Sequence, residues 1–129
     1  MHALGVPNCF GVSECFGLDE ECLAFVPQPV VACIFLSPYS ALKAEKQLQR
    51  ERIEKEGQVV HPKVYFMRQT VGNACGTVAV VHALANCMEA LCLTPDGVIG
   101  SFVERTRALS YEERGKALES DTAIESVRY

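Results

Sequence analysis

The chain has 129 residues, of which 49% are apolar and 22% are charged. This composition is typical of one folded domain and excludes a disordered or collagen-like chain. Twelve Lys and Arg against sixteen Asp and Glu give a net charge of −4. The chain therefore lacks the basic excess of a nucleic-acid-binding protein, and we expect no nucleic-acid partner.

The cysteine pattern indicates a reducing compartment. Seven cysteines occur, an odd number, and no two have C-x-x-C spacing. A disulfide-stapled secreted domain or a four-cysteine zinc site would show paired spacings. We therefore expect a cytoplasmic chain without a metal site. Cysteines other than Cys75 are predicted to be small buried hydrophobic residues, with Cys9 and Cys92 as exposed exceptions.

No targeting or membrane segment is predicted. The first eight residues lack the basic region and apolar run of a signal peptide. The most apolar stretch, residues 77–93, is interrupted by His82, Asn86 and Glu89, which lie along one stripe of a helix. The stretch is interpreted as a buried helix with one polar face.

The first third of the chain predicts two strands and one short helix. In residues 10–16 apolar and polar side chains alternate loosely, and glycines bound the run, which favours a short strand. Asp19 is suited to cap a brief helix that Pro27 stops. The β-branched run at residues 30–36 ends before Pro38 and predicts a strand buried on both faces.

The middle of the chain is strongly charged. Residues 41–57 predict a helix ended by Gly57, with Glu51 and Lys55 at i, i+4. A mobile connection is the alternative, because the apolar stripe is thin; the charges fit a solvated face. Residues 64–67 then predict a strand.

The last third predicts helices. Thr94 and Pro95 are suited to the start of a helix through about Arg105, and Ser110 with Glu113 has the spacing of a capping box. No internal repeat or linker is present. Residues 1–129 are therefore interpreted as one continuous domain segment.

Cys75 is the candidate nucleophile. Asn73 is predicted to cap a helix and to place Cys75 in its first turn. There, unsatisfied backbone N–H groups and the helix dipole favour the thiolate that nucleophilic catalysis requires. A packing role is the alternative, since isolated cysteines near helix starts usually pack.

Gln69 lies six residues before Cys75. Acyl transfer to a thiol passes through a tetrahedral oxyanion. A side-chain amide held ahead of the nucleophile helix is able to stabilise that oxyanion together with the Cys75 backbone N–H. Papain-like thiol proteases place a glutamine at the same offset.

The segment VYFMRQTVGNACGTVAVVHALAN, residues 64–86, closely resembles the ubiquitin carboxyl-terminal hydrolase family of thiol proteases. The pattern QT-x-x-N-x-CGT followed by HA-x-AN is specific to that family and is not a generic one. A looser likeness includes LGV at 4–6, LDEE at 18–21, VPQPV at 26–30 and SYEER at 110–114, so it covers nearly the whole chain. The resemblance implies that Cys75 is the nucleophile and Gln69 the oxyanion-stabilising residue.

The resemblance also implies a fold and a function. The expected fold is α+β: a papain-like core with a central antiparallel sheet flanked by helices, threaded as a knot. The expected activity is thiol-dependent hydrolysis of ubiquitin C-terminal adducts through a thioester, with ubiquitin as partner and with no cofactor, nucleic acid or membrane involved.

The family's general-base histidine and its orienting aspartate follow well downstream of the nucleophile helix. No such stretch occurs within these 129 residues, so we expect a partial catalytic domain lacking the downstream strands. His82 follows Cys75 by two helical turns, about 10 Å along the axis, which is beyond hydrogen-bond reach. It is interpreted as a core or rim histidine. Neither His2 nor His61 has the spacing of a base.

Two alternatives remain. The first is a truncated, catalytically incomplete chain that at most binds ubiquitin. The second is a redox-active thiol protein, which the missing C-x-x-C pair disfavours.

Overall fold

A computed structural model describes residues 1–127 of the chain. In that range the regular elements are helices, and no strand is present. The predicted central antiparallel sheet is therefore wrong for the described residues. The helices are 3-10 helices at His2–Leu4 and Tyr39–Leu42 and α-helices α1 (Glu20–Ala24), α2 (Lys43–Glu56), α3 (Cys75–Asn86), α4 (Val98–Thr106), α5 (Tyr111–Glu119) and α6 (Thr122–Glu125).

The predicted strands fail for a common reason. Residues 10–16 and 30–36 have irregular backbone, and Phe16 and Leu36 are each 84% exposed. A strand needs a neighbour that pairs its N–H and C=O groups, and residues 1–127 supply none to these runs. The run at 30–36 is therefore not buried on both faces.

The chain divides into two compact units, Met1–Cys33 with Tyr65–Tyr129, and Ile34–Val64. The second unit holds α2, whose charged side chains are exposed and include an Arg52–Glu56 ion pair at 2.9 Å. Gly57, at φ 76°, ends the helix. The predicted helix at residues 41–57 is confirmed, and the alternative, a mobile connection, is not what the structure shows. One partial domain over residues 1–129 stays a prediction, and residues 128–129 lie outside the described range.

Helix α4 lies at the centre of the first unit. It contacts the 3-10 helix at His2–Leu4 as well as α3, α5 and α6. Its residues Ile99, Phe102 and Val103 are fully buried. The buried core around them consists of Val6, Tyr65, Met67, Ala74, Val78, Val81, Leu84, Ala85, Leu91, Leu118 and Ile124.

Local capping sets several helix starts. The capping box at α5 is confirmed: Ser110 Oγ accepts from Glu113 N at 3.2 Å, and Glu113 Oε2 accepts from Ser110 N at 2.8 Å. Asp19 caps α1 as predicted. Helix α4 instead begins at Val98, after Gly97, because Thr94 O is used in a turn with Gly97 N at 3.1 Å. The predicted Thr94 cap is therefore wrong.

None of the helices among residues 1–127 combines the length and apolar character that crossing a membrane requires.

Candidate active site

Cys75 is the first residue of α3, and its side chain is exposed. Its predicted place in the first turn of a helix is confirmed. Asn73 does not cap the helix; it has φ 58°, a left-handed conformation that asparagine tolerates. Ala74 takes the cap position, where it has no side chain able to bond the first N–H groups. The Cys75 thiol thus lies at the positive end of the helix dipole, at a helix start that has no side-chain cap.

Gln69 lies in the loop that leads into α3. Its Nε2 donates to Val71 O at 2.8 Å, so the amide is tied within the loop. Pairing of this amide with the Cys75 N–H around an oxyanion stays a prediction. Gln69 also lines a shallow open groove together with Arg68, Thr70, Ser110, Glu112, Glu113 and Lys116. The loop and α5 therefore form the two sides of one groove.

The extended segment before Gln69 is held by side chains of α3. Asn86 Oδ1 accepts from Tyr65 N at 2.9 Å, and Asn86 Nδ2 donates to Tyr65 O at 2.8 Å. His82 Nε2 accepts from Met67 N at 2.9 Å. These side chains satisfy the backbone as a neighbouring strand would, which explains why residues 64–67 have a strand-like pattern without belonging to a sheet.

Helix α5 holds the same segment from another direction. Tyr111 O accepts from Arg68 N at 2.9 Å, and Arg114 Nη1 donates to Phe66 O at 3.0 Å. The segment that precedes Gln69 is therefore bonded both to the helix that begins with Cys75 and to α5. The sequence reasoning assigned no role to Asn86 or Arg114, although both lie in the HA-x-AN and SYEER motifs.

The contacts of His82 indicate a structural role. Its ring is half-buried and stacks on Phe66, with centroids 5.0 Å apart. Burial lowers the pKa of His82. An Nε2 atom that accepts from the Met67 N–H carries no proton, so the folded chain holds the neutral imidazole. The predicted core or rim position is confirmed.

The other two histidines are bonded to nearby backbone. His2 Nδ1 lies 3.0 Å from Val6 O, and Lys63 N donates to His61 Nδ1 at 3.2 Å. None of these histidine hydrogen bonds involves the Cys75 thiol, which is free and exposed. In residues 1–127 the structure has an exposed thiol at Cys75 and an amide at Gln69, and no imidazole is hydrogen-bonded to the thiol.

The seven cysteines are all free thiols. The prediction that most are buried is wrong, because the strands expected to pack around them do not form in residues 1–127. Cys22 and Cys87 are partly buried, and the others are exposed. A hydrogen bond to the Asp19 carboxylate raises the pKa of Cys22. No group of three His, Cys, Asp or Glu side chains suited to a metal occurs in the described part of the chain.

Comparison with known proteins identifies relatives along the whole chain. A family profile described as "Ubiquitin carboxyl-terminal hydrolase, family 1" matches residues 1–128. The chain is 40% identical over 125 residues to the rat ubiquitin carboxyl-terminal hydrolase isozyme L1, covering 96% of this chain and 55% of that protein. The human isozyme L1 is 39% identical over the same shares.

A more distant organism provides a similar match. A probable ubiquitin carboxyl-terminal hydrolase of Dictyostelium discoideum is 39% identical over 126 residues, covering 97% of this chain and 49% of that protein. The chain thus spans about half the length of the curated relatives it matches.

Proposed function

This chain belongs to ubiquitin carboxyl-terminal hydrolase family 1, and we propose that it provides the nucleophile half of a thiol-dependent ubiquitin hydrolase. The observation that carries the proposal is the position of Cys75. Its exposed thiol begins a helix whose first N–H groups have no side-chain cap. An anion at that position gains both hydrogen bonds and the favourable end of the helix dipole.

In the proposed reaction, Cys75 Sγ attacks the carbonyl carbon of ubiquitin's C-terminal glycine. The new S–C bond moves the carbonyl electron pair onto oxygen, and the Gln69 amide with the Cys75 backbone N–H stabilises that oxyanion. One N–H of the Gln69 amide is bonded to Val71 O, so the second N–H is the donor to the oxyanion. The tetrahedral state collapses to a thioester as the bond from the carbonyl carbon to the amine nitrogen or alcohol oxygen breaks, and the leaving group takes up the proton that the Cys75 thiol lost. Water then hydrolyses the thioester and regenerates the thiol.

A second candidate is a chain that binds ubiquitin without turnover. It is favoured by the histidine environments: within residues 1–127 the histidine hydrogen bonds do not involve the Cys75 thiol, and His82 Nε2 is bonded to Met67 N. A base that takes the thiol proton and then protonates the leaving group contributes about 10²–10⁴-fold to each step. Without such a base, capture of an electrophile is possible while hydrolysis is slow.

The test of the proposed nucleophile is covalent capture. Ubiquitin with a vinyl methyl ester at its C-terminus is incubated with the chain, and the adduct is located by peptide mass spectrometry. We expect modification at Cys75 alone, loss of the adduct in Cys75→Ser, and an unchanged adduct in Cys92→Ser, the matched exposed thiol. Modification spread over the exposed cysteines, as with iodoacetamide, would refute the assignment.

Hydrolysis tests the binding-only candidate. We expect the 129-residue chain to cleave a fluorogenic ubiquitin C-terminal amide negligibly, because in the described residues His2, His61 and His82 are hydrogen-bonded to backbone groups and not to Cys75. Turnover at a rate ordinary for an enzyme, abolished by Cys75→Ser, would exclude the binding-only candidate. It would also show that a base acts on Cys75.

A further inference from the structure

Three residues in the first two turns of α5, Tyr111, Arg114 and Gly115, contact the segment directly before Gln69. We name them the α5 platform. Tyr111 accepts a backbone hydrogen bond from Arg68, Arg114 donates to Phe66 O, and Gly115 packs against the Arg68 carbonyl. The platform thus contacts the peptide unit whose nitrogen belongs to Gln69.

Gly115 has no room for a side chain. It is buried, and a Cβ added there would lie 2.1 Å from Arg68 O and 3.2 Å from Thr70 Cγ2. Backbone oxygen cannot move aside as the end of a flexible side chain does. Only a residue without a Cβ lets α5 approach the peptide bond between Arg68 and Gln69 this closely.

Arg114 fixes the same unit through a planar guanidinium. Besides the bond to Phe66 O at 3.0 Å, its Nε donates to Thr106 O at 3.1 Å and its Nη2 donates to Arg107 O at 2.6 Å. The guanidinium carbon lies 4.6 Å from the centre of the Tyr65 ring. The end of α4 and the segment before Gln69 are therefore joined by one side chain, in a fork geometry that lysine cannot reproduce.

We propose that Gly115 and Arg114 are positioning residues that set the orientation of Gln69 for the oxyanion. The inference depends on the function proposed above. The segment has little freedom to compensate, since His82 holds Met67 N from α3 while the platform holds its other side. A Cβ at residue 115 would lie 2.1 Å from Arg68 O, whereas ordinary van der Waals contact begins at 3.4 Å, so Gly115→Ala requires a shift of more than 1 Å. A misplacement of about 1 Å costs up to about 10²-fold in a catalytic constellation.

The test uses ubiquitin carrying a C-terminal aldehyde. The Cys75 sulfur adds to the aldehyde carbon, and the thiol proton ends on the oxygen, so a tetrahedral adduct forms without a leaving group. Its oxygen occupies the position of the oxyanion. We expect Gly115→Ala and Gln69→Ala each to weaken this adduct by about 10–100-fold, with iodoacetamide alkylation of Cys75 unchanged.

Gly100→Ala is the matched control. Gly100 is also a buried helical glycine, and a Cβ there would lie 2.0 Å from the carbonyl oxygen of Thr94, which is remote from Gln69 in sequence. We expect Gly100→Ala to lower stability comparably but to leave the adduct affinity within about threefold. Equal weakening by both glycine variants would mean that the effect is loss of structure, and it would overturn the positioning role.

A double variant and the unmodified chain together distinguish failure of the positioning role from failure of the proposed function. In the Gln69→Ala background, Gly115→Ala should weaken the adduct no further, and additive losses would overturn the inference. Absence of any Cys75-dependent adduct in the unmodified chain would refute the proposed function, and the positioning role with it. A normal adduct with no effect of Gly115→Ala would refute the positioning role alone.

Two further measurements keep the inference testable if Gly115→Ala does not fold. Arg114→Lys keeps the charge but loses the fork, and we expect it to weaken the adduct in the same non-additive way. The side-chain amide signals of Gln69 in NMR spectra should shift in Arg114→Lys and stay constant in Gly100→Ala. Unchanged Gln69 signals in Arg114→Lys would contradict the inference without reference to ubiquitin.

Discussion

Replacement of His82 removes two interactions whose sizes follow from the structure. In His82→Ala, the N–H of Met67, a residue only 1% exposed, loses its acceptor, at a cost of about 1–3 kcal/mol. Loss of the stacked contact with Phe66 adds about 0.5–1.5 kcal/mol. The expected decrease in the free energy of unfolding is about 1.5–4.5 kcal/mol.

His82→Gln is the matched variant. A glutamine Oε1 reaches about as far as a histidine Nε2 and accepts the Met67 N–H, but it does not stack. We therefore expect His82→Gln to lose only about 0.5–1.5 kcal/mol. Adduct formation at Cys75 with ubiquitin aldehyde should stay within tenfold, about 1.4 kcal/mol, because the hydrogen bond is kept and His82 Nε2 is bonded to Met67 N and not to Cys75.

The pH dependence of the folding stability follows from the lowered pKa of His82. Burial lowers the pKa of His82 in the folded chain from its ordinary value of 6.5. The part of the stability that depends on a neutral His82 is therefore fully present above pH 6.5. It falls as the pH drops toward the lowered value, because the unfolded chain then binds a proton that the folded chain does not.

Urea unfolding followed by far-UV circular dichroism at pH 7.5 and pH 5.5 measures both effects. We expect the unmodified chain to lose more stability between these pH values than His82→Gln does. Equal destabilisation by the Ala and Gln variants would show that the Met67 hydrogen bond contributes nothing. Equal pH dependence in the Gln variant and the unmodified chain would refute the account of His82.

Three further outcomes follow from the described contacts. Phe102→Ala in the fully buried face of α4 should cost about 3–5 kcal/mol, measured by exchange of the slowest α4 amides. Ser110→Ala removes half of a capping box and should cost about 0.5–2 kcal/mol in urea unfolding, whereas Ser101→Ala, at an exposed helical position, should change stability by less than about 0.5 kcal/mol. Phe16 and Phe25 are each 84% exposed, so the chain should bind an apolar dye strongly; weak binding would show that these side chains are covered in solution.

Features that depend on neighbouring residues were predictable from the sequence. Asp19 and Ser110 accept from N–H groups three residues later, so the spacing alone indicates the caps. The position of Cys75 at the start of a helix is similarly local. Its neighbour Asn73 was misassigned because asparagine suits both an N-cap and a left-handed turn.

Features that depend on distant partners were not predictable. The strand-like pattern before Gln69 indicates extended backbone, but not which groups satisfy it. The partners are Asn86, 21 residues after Tyr65, and Arg114, 48 residues after Phe66. The role of Gly115 depends on contact with Arg68 O, to which no periodicity in the sequence points. The absence of a sheet among residues 1–127 has the same origin, because strand pairing is a property of separate segments.

The central position of α4 has a consequence for the order of folding. Its contacts with α3, α5 and α6 join elements close together in the chain, whereas its contact with His2–Leu4 closes a loop of roughly 90 residues. Local helix contacts form quickly, and closure of a long loop is delayed by its entropy. Substitutions at Val6, which is buried in the same core, should therefore accelerate unfolding while leaving the refolding rate nearly unchanged. The N-terminal segment would therefore pack last, onto a helical cluster that has already formed.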